Sequence, residues 1–303
     1  MSRPAAPKAN GPAAHSAEGI PVNSVVPLRR GFVNVGPVQV HYRQGGDGAS
    51  HVPLAMIHAS PGSSRQLADL ASLLAVGRRV VAPDTAGNGD SDPLELSTPG
   101  IADLAAHALA ALEQLIDGPF DLYGSHTGAS IAMEIALAAP TRIRRLVIDG
   151  MGLYAADEQS DVLRQYAREI VPDLEGTHLM KVWHFCRDQY LFWPYYNRTE
   201  AGRLPNGLPE AETFHDFVVE VLKAMRTYHR SYRAAFCHPK RDRLVLLRLP
   251  VLVLTSPSDM LDSYANEVAS LVPGAVRAAS PRWGDPDFHP GAARTIADFL
   301  EQA

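Results

Sequence analysis

The chain has 303 residues, 46% hydrophobic and 20% charged, a balance that supports a buried core and excludes a disordered chain. A formal net charge of −5, with its basic residues mostly scattered arginines, leaves no electrostatic footprint for nucleic acid or an anionic membrane. Two cysteines, Cys186 and Cys237, provide neither a disulfide framework nor a CxxC pair, and the N-terminus lacks an apolar h-region, so a reducing, cytoplasmic setting is expected.

Residues 1–29, opening "MSRPAAPKANGPAAHSAEGIPVNS", are rich in Pro, Ala, Gly and Ser and predict a flexible tail. From there "GFVNVGPVQVHYRQGG" (31–46) alternates apolar and polar residues around a Gly-Pro turn, as a β-hairpin does. "VPLAMIH" (52–58) reads as a buried strand ending at "ASPGSS", followed by a helix over "RQLADLASLLA" and a strand over "RRVVAPD". A helix over 97–115 is predicted with Thr98 as N-cap and Pro99 at its first position. "FDLYG" is then a strand, "ASIAMEIALAA" a helix and "IRRLVIDG" a strand. This alternation predicts βαβ units, and the uninterrupted apolar runs fit parallel strands covered on both faces.

The rhythm breaks between 151 and 240, which hold helical patterns over "DVLRQYAREIV", "HLMKVWHFCRDQYLF" and "TFHDFVVEVLKAMRTYHRSYRAAF", and no convincing strand. Alternation resumes with strands in "RLPVLVLTSPSD" and "GAVRAAS" and a closing helix over "GAARTIADFLEQ". The expected organisation is an α/β core from 30–150 and 241–303, with 151–240 inserted as a helical cap.

Five separated motifs lie on this frame in order: "HASPGSS", "DTAGNGDSD", "GSHTG", "TSPSD" and "PDFHPG". Together they resemble the α/β-hydrolase superfamily, in particular members with a helical cap after the sixth strand, over residues 31–303. The resemblance implies a mostly parallel, doubly wound sheet and a nucleophile elbow at "GSHTG", where a serine usually stands and this chain has His126. The flanking glycines leave room for a tight strand–helix crossing, and histidine tolerates the positive φ of the central position better than most residues.

By resemblance, the oxyanion hole falls to the N–H groups of Ser60 and Thr127, and the partners of the elbow residue are Asp259 and His289. Asp149 and Asp262 are alternative acids, and Ser125, the residue before His126, is expected to point away from the pocket. His126 would act as nucleophile or base, with His289 and Asp259 as a relay in which the two rings titrate together. The aromatic run "YLFWPYY" (190–196) would hang over the elbow, with Trp193 and Tyr195 lining an apolar pocket, though it also suits a plain packing role. By resemblance, "DTAGNGDSD" is a structural turn near the pocket with Asp84 and Ser91 fixing its backbone, and His58 is expected to brace the oxyanion loop.

The scattered cap histidines match no ligand spacing, so no metal and no cofactor are expected. The expected function is hydrolysis of an ester, lactone or C–C bond in a small carbonyl substrate. Two alternatives stay open, a lyase- or isomerase-type proton transfer and a non-catalytic ligand-binding protein. No nucleic-acid or membrane partner is expected, and a homodimer stays open.

Overall fold

A computed structural model describes residues 25–48, 50–205 and 207–302. Most of the expected tail, residues 1–24, lies outside the described residues. Its last residues are already part of the fold: the Val26 N–H donates to the Ser72 carbonyl at 3.0 Å, and Val26 and Leu28 pack against the core.

The hairpin forms β1 (Arg29–Val35) and β2 (Val38–Gly45), followed by β3 (Leu54–Ile57), α1 (Ala68–Leu74), β4 (Val80–Pro83), α2 (Ile101–Leu115), β5 (Phe120–Ser125), α3 (Thr127–Ala138) and β6 (Ile143–Asp149). Five helices come next: α4 (Ala156–Gln165), α5 (Thr177–Leu191), α6 (Ala211–Ala224), α7 (Tyr228–Cys237) and α8 (Lys240–Leu244). The chain then returns through β7 (Val251–Thr255), α9 (Ala265–Leu271), β8 (Val276–Ala279) and α10 (Phe288–Leu300). The eight strands lie in the order β1-β2-β4-β3-β5-β6-β7-β8, antiparallel at β1-β2 and β2-β4 and parallel beyond.

Strand pleating sorts the apolar runs between two layers. Ala55, Ile57, Leu122, Leu146, Ile148 and Val253 pack beneath α2, α3 and α9, whereas Leu54, Met56, Tyr123, Val147 and Leu254 pack beneath α1 and α10. The helices between β6 and β7 have a core of their own, built on Tyr166, Val182, Phe185, Val221, Tyr228 and Phe236.

Several boundaries move for identifiable reasons. Helix α2 starts after Gly100, not at Thr98 and Pro99, because the Asp103 carboxylate reaches back to accept the Gly100 N–H at 2.8 Å. The long pattern over 213–236 is two helices. At the break the Thr227 hydroxyl donates to the Gly87 carbonyl and, at 3.2 Å, to the Ala224 carbonyl, tying it to the "DTAGNGDSD" loop. Helix α10 begins at Phe288, three residues earlier than expected, which changes the setting of His289.

Candidate active site

The turn between β5 and α3 is a single residue, His126, with φ 51° and ψ −108°, the one non-glycine with positive φ among the described residues. Its N–H donates to the Asp149 carbonyl at 2.9 Å, and its own carbonyl accepts the Ala129 N–H at 3.1 Å. The glycine frame follows from close approach: a Cβ at Gly124 would lie 2.3 Å from the Gly128 carbonyl oxygen, and one at Gly128 2.3 Å from that of Ile57. This crossing leaves the His126 ring 31% exposed at the carboxyl edge of the sheet.

His126 meets its acid directly. Nε2 lies 2.8 Å from Oδ2 of Asp259, in the turn after β7, whose other oxygen accepts the Leu261 N–H at 2.7 Å. Gly150 makes room for the pair, since a Cβ there would sit 2.8 Å from Cδ2 of His126 and 3.1 Å from the Asp259 carboxylate.

The expected relay through His289 is not formed. Starting α10 at Phe288 puts His289 in the helix's first turn, where its Nε2 leans toward Asp69 of α1 at 3.8 Å. Among the described residues it has no hydrogen bond to His126 or Asp259. It lines the same chamber as both, and burial lowers its pKa, with Asp69 offsetting part of the effect.

The alternative acids are otherwise engaged. Asp149 accepts the Tyr123 hydroxyl at 2.5 Å, and Asp262 accepts the Thr255 hydroxyl at 2.7 Å. Burial raises the Asp149 carboxyl to about 6; the Tyr123 hydrogen bond opposes this, while the Asp259 charge adds to it. Ser125, expected to point away, is among the residues that line the chamber. Among the described residues no imidazole hydrogen-bonds its hydroxyl, so no base is in place to activate it. Tyr123 carried a usable signal in the sequence, because a phenol in an apolar strand needs a buried partner.

Thr127 opens α3 and Ser60 follows β3, and both face a second chamber on the other side of His126. Among the described residues neither N–H has a protein acceptor. The loop bearing Ser60 is braced from below: the His58 Nδ1–H donates to the Ala59 carbonyl at 2.7 Å, and Nε2 accepts the Thr85 N–H at 2.9 Å. That pattern requires a neutral ring, in agreement with a pKa lowered by burial. Asp84 accepts from Ser64 N–H at 2.7 Å, His41 Nδ1 at 2.8 Å and Asp90 N–H at 3.0 Å. Burial pushes this carboxyl up, but the His41 hydrogen bond and those N–H groups outweigh it and hold the pKa at about 2. His41, Asp84 and Asp90 are close enough to hold a cation, yet His41 is engaged with Asp84, and Asp90 with Lys223 at 2.9 Å.

His126 thus stands between two chambers. The larger, about 330 Å³, is lined by Tyr123, Ser125, Asp149, Asp259, Trp283, Phe288 and His289. The smaller, about 190 Å³, is lined by Ser60, Thr127, Ser130, Tyr154, Trp193 and Lys240. Trp193 is where the aromatic run was expected to reach. Tyr195 is not: its hydroxyl donates to the Gln165 carbonyl at 3.2 Å and its ring packs edge-on against Tyr166 and Phe185, because the helical insertion has its own core to fill.

Burial lowers the His126 pKa, but the charge and hydrogen bond of Asp259, with the Asp149 charge behind them, raise it to about 9. Burial raises that of Asp259, and the His126 charge and hydrogen bond bring it down below the usual value. An imidazolium–carboxylate pair is therefore the neutral-pH state. A folded pKa above the ordinary 6.5 means that the stabilisation is complete below 6.5 and is lost as pH rises through about 9. Scanning calorimetry should show Tm falling between those pH values, by about 1–2 kcal/mol of stability after allowing for solvent screening. In His126→Asn this fall should be absent.

The sequence model of the alpha/beta hydrolase fold family matches residues 52–269. Among curated proteins, the chain is 38% identical over 120 residues to a 2-hydroxy-6-oxononadienedioate/2-hydroxy-6-oxononatrienedioate hydrolase of Pseudomonas putida, over 38% of this chain and 41% of that protein. It is 30% identical over 140 residues to pyrrolizixenacetamide deacetylase of Xenorhabdus hominickii, over 46% of this chain and 51% of that protein. The chain therefore spans about half or less of the length of these relatives. Among solved structures, the enol-lactonase of Burkholderia xenovorans LB400 aligns with TM-score 0.66 at 17% identity, over 90% of this chain and 100% of that one. An esterase of Thermogutta terrifontis aligns with TM-score 0.66 at 17% identity, over 90% and 98% of the two chains. With the family model covering more than half of the sequence, and the sheet order and elbow geometry in agreement, this chain belongs to the alpha/beta hydrolase fold family.

Proposed function

We propose that the protein hydrolyses a small carbonyl compound, an ester, a lactone or a C–C bond flanked by a carbonyl, with His126 as the general base. The observation that carries this reading is the 2.8 Å His126–Asp259 pair, beside a chamber lined by Ser60 and Thr127, whose N–H groups have no protein acceptor among the described residues. In the neutral ring, Nε2–H donates to Asp259 and the Nδ1 lone pair remains for a water molecule. That water attacks the carbonyl carbon while the developing oxyanion is held by the N–H groups of Ser60 and Thr127. The proton gained at Nδ1 then passes to the leaving atom, and Asp259 stabilises the imidazolium in between. The curated relatives agree in kind, being named for a 2-hydroxy-6-oxo acid substrate and for deacetylation. The two unpaired cysteines, one of them exposed, support a reducing, cytoplasmic setting.

A second reading is favoured by the imidazolium state of His126 at neutral pH, which suits a proton donor in a lyase- or isomerase-type reaction. Turnover in H₂¹⁸O separates the two. The proposed hydrolysis puts one labelled oxygen into the acid product, whereas product forming without label sinks it in favour of proton transfer.

A further inference from the structure

Lys240 opens α8 and lines the smaller chamber, only 7% exposed. Its Nζ donates to the Ala235 carbonyl and lies 5.6 Å from the centre of the Tyr154 ring. Among the described residues no carboxylate pairs with it, the chamber lining contains no Asp or Glu, and Arg241 nearby is another cation. Burial lowers its pKa to about 8, which leaves the ammonium form dominant at neutral pH.

The same lining holds further unanswered polar atoms. Ser60 Oγ, Ser130 Oγ and Gln189 Nε2 are all buried without a protein partner. A buried ammonium without a counter-ion is costly, and so is each unpaired buried donor. These residues share the wall of one cavity, which fits a ligand that brings the negative charge and the acceptors.

We infer that the smaller chamber is a subsite for a carboxylate arm of the substrate, with Lys240 as the specificity-determining residue and Ser130 and Gln189 as supporting donors. The larger chamber carries Asp149 and Asp259, which repel a carboxylate, and Trp283 and Phe288, which suit an apolar arm. A substrate is thereby oriented across His126, acid end toward α8 and uncharged end toward α10. This orientation rests on the proposed function only in placing the reacting carbonyl at His126.

Calorimetric titration of the full chain with hexanoate and with hexanamide tests the subsite without turnover. Wild type should bind hexanoate roughly tenfold or more tighter than hexanamide, as expected for a charge-assisted, desolvated contact. Lys240→Gln should abolish that preference, and His126→Ala should retain it. Should Lys240→Gln fail to fold, Ser130→Asp serves instead, since it builds a counter-ion into the chamber and should likewise remove the preference. Equal affinity of wild type for the two probes overturns the proposal. So does a preference that survives both Lys240→Gln and Ser130→Asp, or one lost in His126→Ala. Because binding alone is read, a failure of the hydrolytic reading would leave these outcomes intact.

Discussion

Alanine at position 126 should lower kcat/KM by about 10³-fold or more, the loss seen when the central member of a catalytic unit is removed. The oxyanion donors of Ser60 and Thr127 survive that change, so substrate still binds, but nothing remains to take a proton from water. Asp259→Asn is the more informative partner. It keeps a hydrogen-bonding group 2.8 Å from Nε2 and removes the charge that holds the imidazole pKa at about 9. Activity should fall by about 10²–10⁴-fold. The rising limb of its pH–rate profile, near 9 in wild type because the base must be neutral, should move to lower pH. A variant that merely loosened the fold would lose rate without moving that limb. His289→Ala should cost less than about tenfold, because its ring leans on Asp69 and not on the dyad. His126→Ser restores the usual elbow residue but should not create an esterase: the new hydroxyl would face Asp259 with no imidazole between them. A His126→Ala enzyme that keeps its rate would remove His126 from the site.

Gly128→Ala should be among the most damaging single methyl additions at the elbow. Its Cβ would lie 2.3 Å from the carbonyl oxygen of Ile57 and 2.5 Å from that of His58. Both are backbone atoms, so no side chain can swing aside, and α3 would have to lift off β3. The loss should be about 3 kcal/mol or more, beyond ordinary overpacking, and urea unfolding would read it as a lower midpoint at unchanged slope. The same displacement would separate the Thr127 N–H from the Ser60 loop, so activity should drop even where the protein is folded. Gly207→Ala, with nothing within 4 Å of the added methyl and no positive φ, is the matched control and should change stability by no more than about 0.5 kcal/mol. Equal stabilities for the two variants would mean that the elbow crossing is looser than the distances imply.

Much of the architecture could be read from residue order alone. Strands buried on both faces must be apolar throughout, so "VPLAMI", "VVAP" and "VLVLT" announce themselves. The glycines at 124 and 128 could be read too, because close backbone crossings tolerate nothing larger and so leave a fixed spacing around the exposed residue. Asp259 could be placed near the elbow for a similar reason: it follows the carboxyl end of a core strand, where the sheet itself aims it toward His126.

What the residues could not disclose were the partners chosen at side-chain range. The resemblance makes His289 the partner of Asp259, but α10 starts three residues earlier than its pattern suggests, the His289 ring leans toward Asp69, and Asp259 pairs with His126 instead. Trp193 and Tyr195 stand two apart in one run, yet one meets the chamber and the other fills the core of the helical insertion. Lys240 looked like the last residue of that insertion, and only the cavity around it shows an ammonium without a counter-ion. Burial patterns repeat along a chain and so leave a period in it. Which polar atoms meet is decided by helix ends and packing angles of a few ångströms, between residues far apart in sequence, and leaves no such trace.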